Sequence, residues 1–457
     1  MRRPFGYLLA AALSFVLLFV LFWPGPAPSV DVRTDRPGVG RAGTGLSVTA
    51  REPARGVSSI RVEALQADRV VTLADQSFVP RSAWAVWKRG EVEPALELRL
   101  SPETIPGLSE GDLLLRMTAK GSGSALIGPR ETTSETVLPV RLTAPVLGLT
   151  SSQNYAAQGG SGVVVYRVGD VVLEEGGLDG VEAGSWFFRG YPLPGGQATE
   201  RFALYGVPYD LPDDSKIRLV ASDAFGNTNS IAFVERFFPR PLKSDTIQLS
   251  VEFMEKVVPE IIAQTPDLAD RGDLLQNYLA INGELRARNT QTLRELGSRS
   301  RPSFLWTGPF DQLPNSQVTS AFADRRTYHF EGRDVDRQDH LGFDLASVRG
   351  APVPAANRGV VILARYLGIY GNTVVVDHGF GLMSLYSHLS AFDVSENQEV
   401  EKAQVLGRTG QTGLAGGDHL HFTLLVHGLA VNPIEWWDPA WIRDRITAKL
   451  ERGDTGS

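Results

Sequence analysis

From Ser29 to Thr143 the hydrophobic positions fall in short runs. LSVTA, IRVEAL, RVVTL, AWAVWK, LELRL, LLLRMTA and VLPVRLT alternate or stay apolar for a few residues, and Gly, Pro, Ser or Asp fill most gaps. Successive side chains of a strand point to opposite faces, so such runs broken by turn residues predict an all-β sandwich or barrel. Trp84 and Trp87, inside AWAVWK, are expected in its core or on a sheet face. Pro145 and the Gly/Ser/Gln-rich stretch after it mark a restart. GVVVYRV, SWFFRGYPL, RFALYGVPY, KIRLVASDAFGNTNS and IAFVERF then predict a second β unit ending near Pro239.

Between Ser244 and Ser300 the period changes. Val251, Met254, Val257, Val258, Ile261 and Ile262 recur at three-and-four spacing, and Leu274, Leu275, Tyr278 and Leu279 do so after a break at Pro266 to Gly272. This predicts two or three helices with one apolar face, a connector packed on a neighbouring domain. After Arg301, GVVILARYL, NTVVVDHG, MSLYSHLS and DHLHFTLLVHG read as strands, with a glycine-rich loop over Gly407 to Gly417. Within the second β unit, ASDAFGN resembles the closing strand and turn of bacterial immunoglobulin-like domains. Asp223 and Asn227 there read as turn chemistry rather than calcium ligands, because no ladder of acidic groups surrounds them.

The N-terminus changes the setting of the whole chain. Arg2 and Arg3 precede an uncharged run from about Phe5 to Trp23, about as long as a bilayer core requires. A cleaved signal peptide has a shorter apolar stretch and a small-residue cleavage site. Here the run ends in FWPGPAPS, with Trp23 suited to the interface and Pro24 as a helix stop, which favours an uncleaved anchor. On either reading the part after Pro24 is exported, and the expected location is the cytoplasmic membrane, single-pass, with the bulk outside. The fold expectation is mainly β: a signal anchor over 1–28, β-sandwich-like domains over 29–144 and 145–240, a helical connector over 241–300, and a C-terminal β-rich domain over 301–457.

Composition narrows the function. The 457 residues carry a net charge of −7, which argues against nucleic acid as a partner. There is no cysteine, which excludes disulfides, a catalytic thiol and thiolate metal sites. All seven histidines lie between His329 and His427. His340 and Asp344 form an H-x-x-x-D pair, and His419 and His421 form H-x-H. On a strand, residues two apart share a face, so His419 and His421 address one site while Leu420 and Phe422 face the core. Imidazole and carboxylate are zinc ligands, and a catalytic zinc usually takes three protein ligands, leaving its fourth position to water.

Taken in order, HLGFD, A-x-x-x-G-V-V, V-D-H-G-x-G-x-x-x-x-Y-S-H-L, G-x-x-G-x-x-G-G-D-H-L-H-F and V-N-P form one long pattern from about Val318 to Pro433. It resembles the lysostaphin/LytM-type zinc endopeptidases, which cut peptide bonds in bacterial peptidoglycan. The resemblance implies Zn2+ held by His340, Asp344 and His421, with His388 and His419 as the catalytic histidines. The chemistry agrees: zinc lowers the pKa of bound water, and with no HExxH glutamate, one histidine takes the proton while another steadies the oxyanion. The pattern does not say which does which. Members of this family are often restrained by upstream segments, so the connector is expected to cover part of the groove. His378 is expected in a turn, structural or exposed, and His427 in a hairpin near Gly428. His329 is expected in a loop before the motif; Asp339 and Asp418 are read as loop aspartates, with orientation of a neighbouring ligand as the alternative.

The expected function is hydrolysis of peptide cross-links or stem peptides of peptidoglycan. Two other readings stay open: a non-catalytic, membrane-anchored scaffold or activator of wall hydrolases, and a metallopeptidase acting on an exported protein.

Overall fold

The computed structural model describes residues 4–22, 25–79, 93–124 and 127–451, omitting some side chains of the first helix. Arg2, Arg3, Trp23 and Pro24, the AWAVWK run with Trp84 and Trp87, and the tail beyond Glu451 lie outside the described residues. The chain is mainly β and divides into two compact units. One comprises Met1–Pro145, Asp170–Leu178 and Ser222–Asn229; the other comprises Val146–Gly169, Asp179–Ala221 and Ser230–Ser457.

In the first unit, period-two patterning becomes two antiparallel sheets. Ser29–Thr34, Thr44–Arg51 and Ala95–Leu100 make one; Arg69–Ser77, Val57–Gln66, Gly111–Gly121 and Glu131–Val140 make the other. Their inward residues, including Leu46, Val48 and Leu100 from the first and Ile60, Val62, Leu113, Leu115 and Met117 from the second, join in one core cluster. The ASDAFGN turn also belongs to this unit. Asp223 Oδ1 accepts from the Phe225 and Asn227 amides at 3.0 and 2.9 Å, and Gly226 takes φ +79°. That is turn chemistry, as the residue types predict.

The apolar run at the N-terminus forms a helix, Pro4–Phe22. Among the described residues, however, no helix is long and apolar enough to cross a membrane. The structure therefore gives the expected transmembrane anchor no support.

The second unit opens with strand Ser161–Val168 between Glu200–Gly206 and Leu147–Leu149, and with a second sheet that includes Trp186–Arg189, Leu178–Ala183 and Ile217–Ser222. The connector follows as helices Val251–Gln264, Leu274–Ala280 and Arg286–Ser298, the last two joined by a π-helical turn. Ser250 and Asp273 cap the first two by accepting from the Phe253 and Gln276 amides. Met254, Val257, Val258 and Ile261 form the buried face at the predicted spacing and meet Tyr278, Ile281, Tyr328 and Ile369.

The largest sheet carries the histidine-rich region. Its order runs Gln317–Ser320, Phe343–Ala346, Leu420–Val426, Leu382–Ser387, Asn372–Gly379, Gly359–Tyr366, Glu399–Val400, with Leu429–Val431 beside Leu420–Val426. Leu382–Ser387 and Leu420–Val426 are buried along their whole length. One reason is helix Arg286–Ser298, whose Leu293 joins the core formed by Val375, Met383, Leu385 and Leu425. Gly297 permits that approach, since a Cβ there would stand 2.5 Å from the His427 carbonyl carbon.

At the far end Trp436 packs edge-on to Trp306 and Phe310, and its Nε1 donates to Ser161 Oγ at 2.9 Å. Glu435 beside it accepts from the Ser161 amide and from Arg240. His378, expected in a turn, ends strand Asn372–Gly379 and is fully buried, bonded to the Arg358 carbonyl and to Ser384 Oγ, both at 2.7 Å. His427 does sit in the turn of a hairpin, between Leu420–Val426 and Leu429–Val431.

Replacing Trp436 by alanine is expected to lower stability by about 3–5 kcal/mol, the cost of an uncollapsed aromatic cavity, read as a fall in thermal midpoint. A second expectation concerns acid. Burial pushes His378 down to about 4 from 6.5, so the folded chain binds fewer protons than the unfolded one. Its contribution, about 3 kcal/mol, is present in full above pH 6.5 and is lost as pH falls through about 4. A series of thermal midpoints from pH 7 to 4 should therefore fall more steeply for the native chain than for His378→Asn.

Candidate metal centre

Three neighbouring elements bring the motif residues together. His340 closes strand Arg333–His340, Asp344 lies on Phe343–Ala346, and His421 lies on the adjoining Leu420–Val426, directly opposite Asp344 in the register. His340 Nε2, Asp344 Oδ1 and His421 Nδ1 stand 2.9 to 3.0 Å from one another. They form the one group of three or more ligand-type side chains, among the described residues, placed to hold a metal ion.

Hydrogen bonds on the outer side of each imidazole set its tautomer. His340 Nδ1 lies 3.0 Å from the Ala321 carbonyl, which can only accept, so Nδ1 carries the proton and Nε2 keeps its lone pair. Thr423 Oγ1 donates to the Leu341 carbonyl at 2.9 Å and is 3.0 Å from His421 Nε2. The threonine proton is thus committed elsewhere; Nε2 donates to it, leaving the Nδ1 lone pair facing inward. Three acceptors without a proton between them repel unless a cation joins them, so the donor set fits a divalent metal. Arg326 Nη2, 3.3 Å from Asp344 Oδ2, braces the other carboxylate oxygen and also bonds Ser320 Oγ.

The two remaining motif histidines face the same space. His388, at φ +62°, has Nδ1 2.8 Å from the Thr412 carbonyl, and His419 has Nδ1 2.8 Å from the Gly417 carbonyl. Each ring is left with Nε2 as its proton acceptor; that of His419 stands 3.4 Å from Asp344 Oδ1. The two ring centroids are 4.8 Å apart. Burial, reinforced by His419 and His421, holds His388 well below the usual histidine range.

All five residues line one cavity of about 300 Å³. Its opposite wall comes from the connector and the strand before it: Leu249, Phe253, Tyr278 and Arg286. Lys256 and Glu260 of the first connector helix bond the Gln411 side chain and the Gly413 amide in the glycine-rich loop. The connector does cover part of the groove.

Other expectations resolve differently. His329 lies in strand Asp324–Phe330, not a loop, and pairs with Asp334 at 3.2 Å. Asp339 lies on strand Arg333–His340 rather than in a loop and accepts from Tyr209 Oη at 2.6 Å, while Asp418, in a loop as expected, accepts from Thr409 Oγ1 at 2.6 Å. Sequence reasoning missed Thr423 and Arg326. Thr423 was within reach, since its place two residues after His421 on one strand puts it on the same face. Arg326 sits 18 residues before its carboxylate partner, and no local signal marks it.

Fold and site together define a β-sheet domain with a His/Asp/His group placed to hold a metal ion and two further histidines on the same cavity. Residues 338–433 match the model of Peptidase family M23. The chain carries a LytM-type M23 peptidase domain towards its C-terminal end. Among curated proteins it is 31% identical to the peptidoglycan DD-endopeptidase ShyA of Vibrio cholerae serotype O1, over 40% of this chain and 39% of that protein. It is 41% identical to the DD-carboxypeptidase/endopeptidase Mpg of Neisseria meningitidis serogroup B, over 21% of this chain and 22% of that protein. The chain thus spans between about a fifth and two fifths of the length of these relatives. Among solved structures, the catalytic domain of the prophage-encoded M23 protein EnpA from Enterococcus faecalis is 27% identical, covering 28% of this chain and 95% of that one at TM-score 0.23.

The outer bond to His421 gives a test of the centre. Thr423→Val keeps the volume but removes the acceptor for Nε2–H, and metal affinity should fall about 10- to 100-fold in a competition titration with a chromophoric chelator. His421→Ala should leave no bound metal.

Proposed function

We propose that this protein is a zinc-dependent endopeptidase that hydrolyses peptide bonds of bacterial peptidoglycan. The observation that carries the reading is the inward convergence of three lone pairs beside two histidines whose Nε2 atoms face the same cavity. Zinc suits this nitrogen and oxygen set, and when bound it supplies Lewis acidity to a peptide carbonyl and acidity to water.

The chain's own residues do the rest. His340, Asp344 and His421 hold the ion, with Thr423, the Ala321 carbonyl and Arg326 fixing their orientation. His388 and His419, anchored through Nδ1–H on backbone carbonyls, present Nε2 to the substrate. One accepts the proton of the attacking water at Nε2 and passes it to the leaving amine, and the other, once protonated at Nε2 as well, donates to the oxyanion. The buried wall of the cavity limits competing water, which strengthens each of these interactions.

The relatives ShyA and Mpg, by their names a DD-endopeptidase and a DD-carboxypeptidase/endopeptidase, support peptidoglycan as the substrate and a bond following D-alanine, with D-Ala–diaminopimelate as the favoured cross-link. We further infer a single-pass exported protein held at the cytoplasmic membrane by the apolar N-terminal run, a reading that rests on the sequence alone. Segment 145–240, read from ASDAFGN as immunoglobulin-like, and segment 29–144 are inferred to serve as exported modules upstream of the peptidase.

The zinc-loaded protein should release muropeptides from purified peptidoglycan, identified by mass spectrometry. His388→Ala and His419→Ala should each retain one metal per chain and lose about 10²- to 10⁴-fold in turnover. A loaded protein that releases nothing would favour the scaffold reading instead.

A further inference from the structure

The cavity at the metal centre contains polar groups that the hydrolytic chemistry leaves unused. Tyr278, on helix Leu274–Ala280, and Arg286, at the start of helix Arg286–Ser298, line it from the connector, and Arg326 lines it from the sheet side. Tyr278 is fully buried, and its hydroxyl has no hydrogen-bond partner among the described residues. A buried hydroxyl without a partner costs free energy, which a bound acceptor would recover. Burial raises its pKa, Tyr328 and Asp336 add to the rise, and Arg286 and Arg326 act on it in the opposite direction. The oxygen is therefore a neutral O–H donor, with the Arg286 and Arg326 guanidiniums and the Asp336 carboxylate acting on it.

Arg286 is also short of partners. It donates to the backbone carbonyl and side-chain oxygen of Asn282, both neutral, and forms no ion pair among the described residues. Arg326 shares its charge with Asp344 and Ser320. The residues lining the cavity thus include three donors, an O–H and two guanidiniums. The one carboxylate lining the cavity, Asp344, is turned toward the histidines. Guanidinium groups pair with carboxylates through parallel N–H···O bonds, and a tyrosine hydroxyl completes such a cradle.

We propose that Tyr278, Arg286 and Arg326 form a carboxylate-recognising subsite, so that the substrate bears a free carboxylate close to the bond that is cut. The inference rests on the endopeptidase reading for the source of the ligand and deepens it. A stem peptide whose diamino diacid residue keeps its side-chain carboxylate fits, whereas a glycine bridge or an amidated diacid does not. The connector would then be a specificity wall of the active site.

The test uses two synthetic cross-linked stem peptides, identical except that the diaminopimelate carboxylate is free in one and a carboxamide in the other. Binding is measured by calorimetry on the full chain after chelation has removed metal, so neither turnover nor direct coordination of the carboxylate contributes. The native chain should bind the acid about tenfold more tightly than the amide, the worth of one charge-assisted hydrogen-bond pair. Arg286→Gln should abolish that preference and Arg286→Lys should retain part of it. Tyr278→Phe removes only an unpartnered oxygen, so its thermal midpoint should hold or rise while its preference for the acid falls. Equal affinity for both peptides, no binding of either, or a preference unchanged in Arg286→Gln would overturn the subsite. So would an equal rise in affinity for both peptides in Arg286→Gln, which would make the connector a steric restraint. If the acid preference is found but loaded protein leaves peptidoglycan intact, the subsite stands and the hydrolase reading falls.

Discussion

Three acceptor atoms within 3.0 Å of one another, with no proton among them, are the constraint on which the rest of the site depends. Such an arrangement is unfavourable by itself, and the protein sustains it by fixing each group from behind. The Ala321 carbonyl holds His340, Thr423 holds His421 and Arg326 holds Asp344. Each support is buried or half-buried, where a misaligned dipole is costly and geometry is therefore kept. The same device recurs one layer out, where the Thr412 and Gly417 carbonyls fix His388 and His419.

That precision needs a rigid platform. Asp344 and His421 face each other across two paired strands, and the neighbouring strand Leu382–Ser387 ends beside His388. Leu420–Val426 and Leu382–Ser387 are buried throughout, so their polar residues have little freedom to turn toward water. The connector supplies part of that cover. One helix sets Leu293 into the sheet's core with Gly297 pressed on the His427 turn, and the others contribute Phe253 and Tyr278 to the cavity wall. The ligand-type group and the cavity wall facing it are thereby built from segments that lie far apart in sequence.

The alternation in LSVTA and IRVEAL and the three-and-four spacing from Val251 to Ile262 were legible because each rests on a local period that burial must respect. The N-terminal run was legible as a helix, while the transmembrane anchor read from its length and lack of charge finds no support among the described residues. His378 escaped for another reason. It follows Asp377 in what looks like a polar turn, yet the strand continues through it, and Ser384 on the neighbouring strand satisfies its ring.

The sequence by itself determined the mainly β character, the helical connector and the five motif positions that the fold gathers on one cavity, because strand and helix periods are local and the motif lies within one stretch of chain. Tertiary structure alone decided the rest. Which nitrogen of each imidazole is free depends on carbonyls and hydroxyls that the fold brings up, such as Ala321 for His340, 19 residues away. That Tyr278 and Arg286 share a cavity with His421 depends on packing of the connector on the sheet. Contacts of this kind are set by the mutual burial of distant apolar faces, and no local period in the chain encodes them.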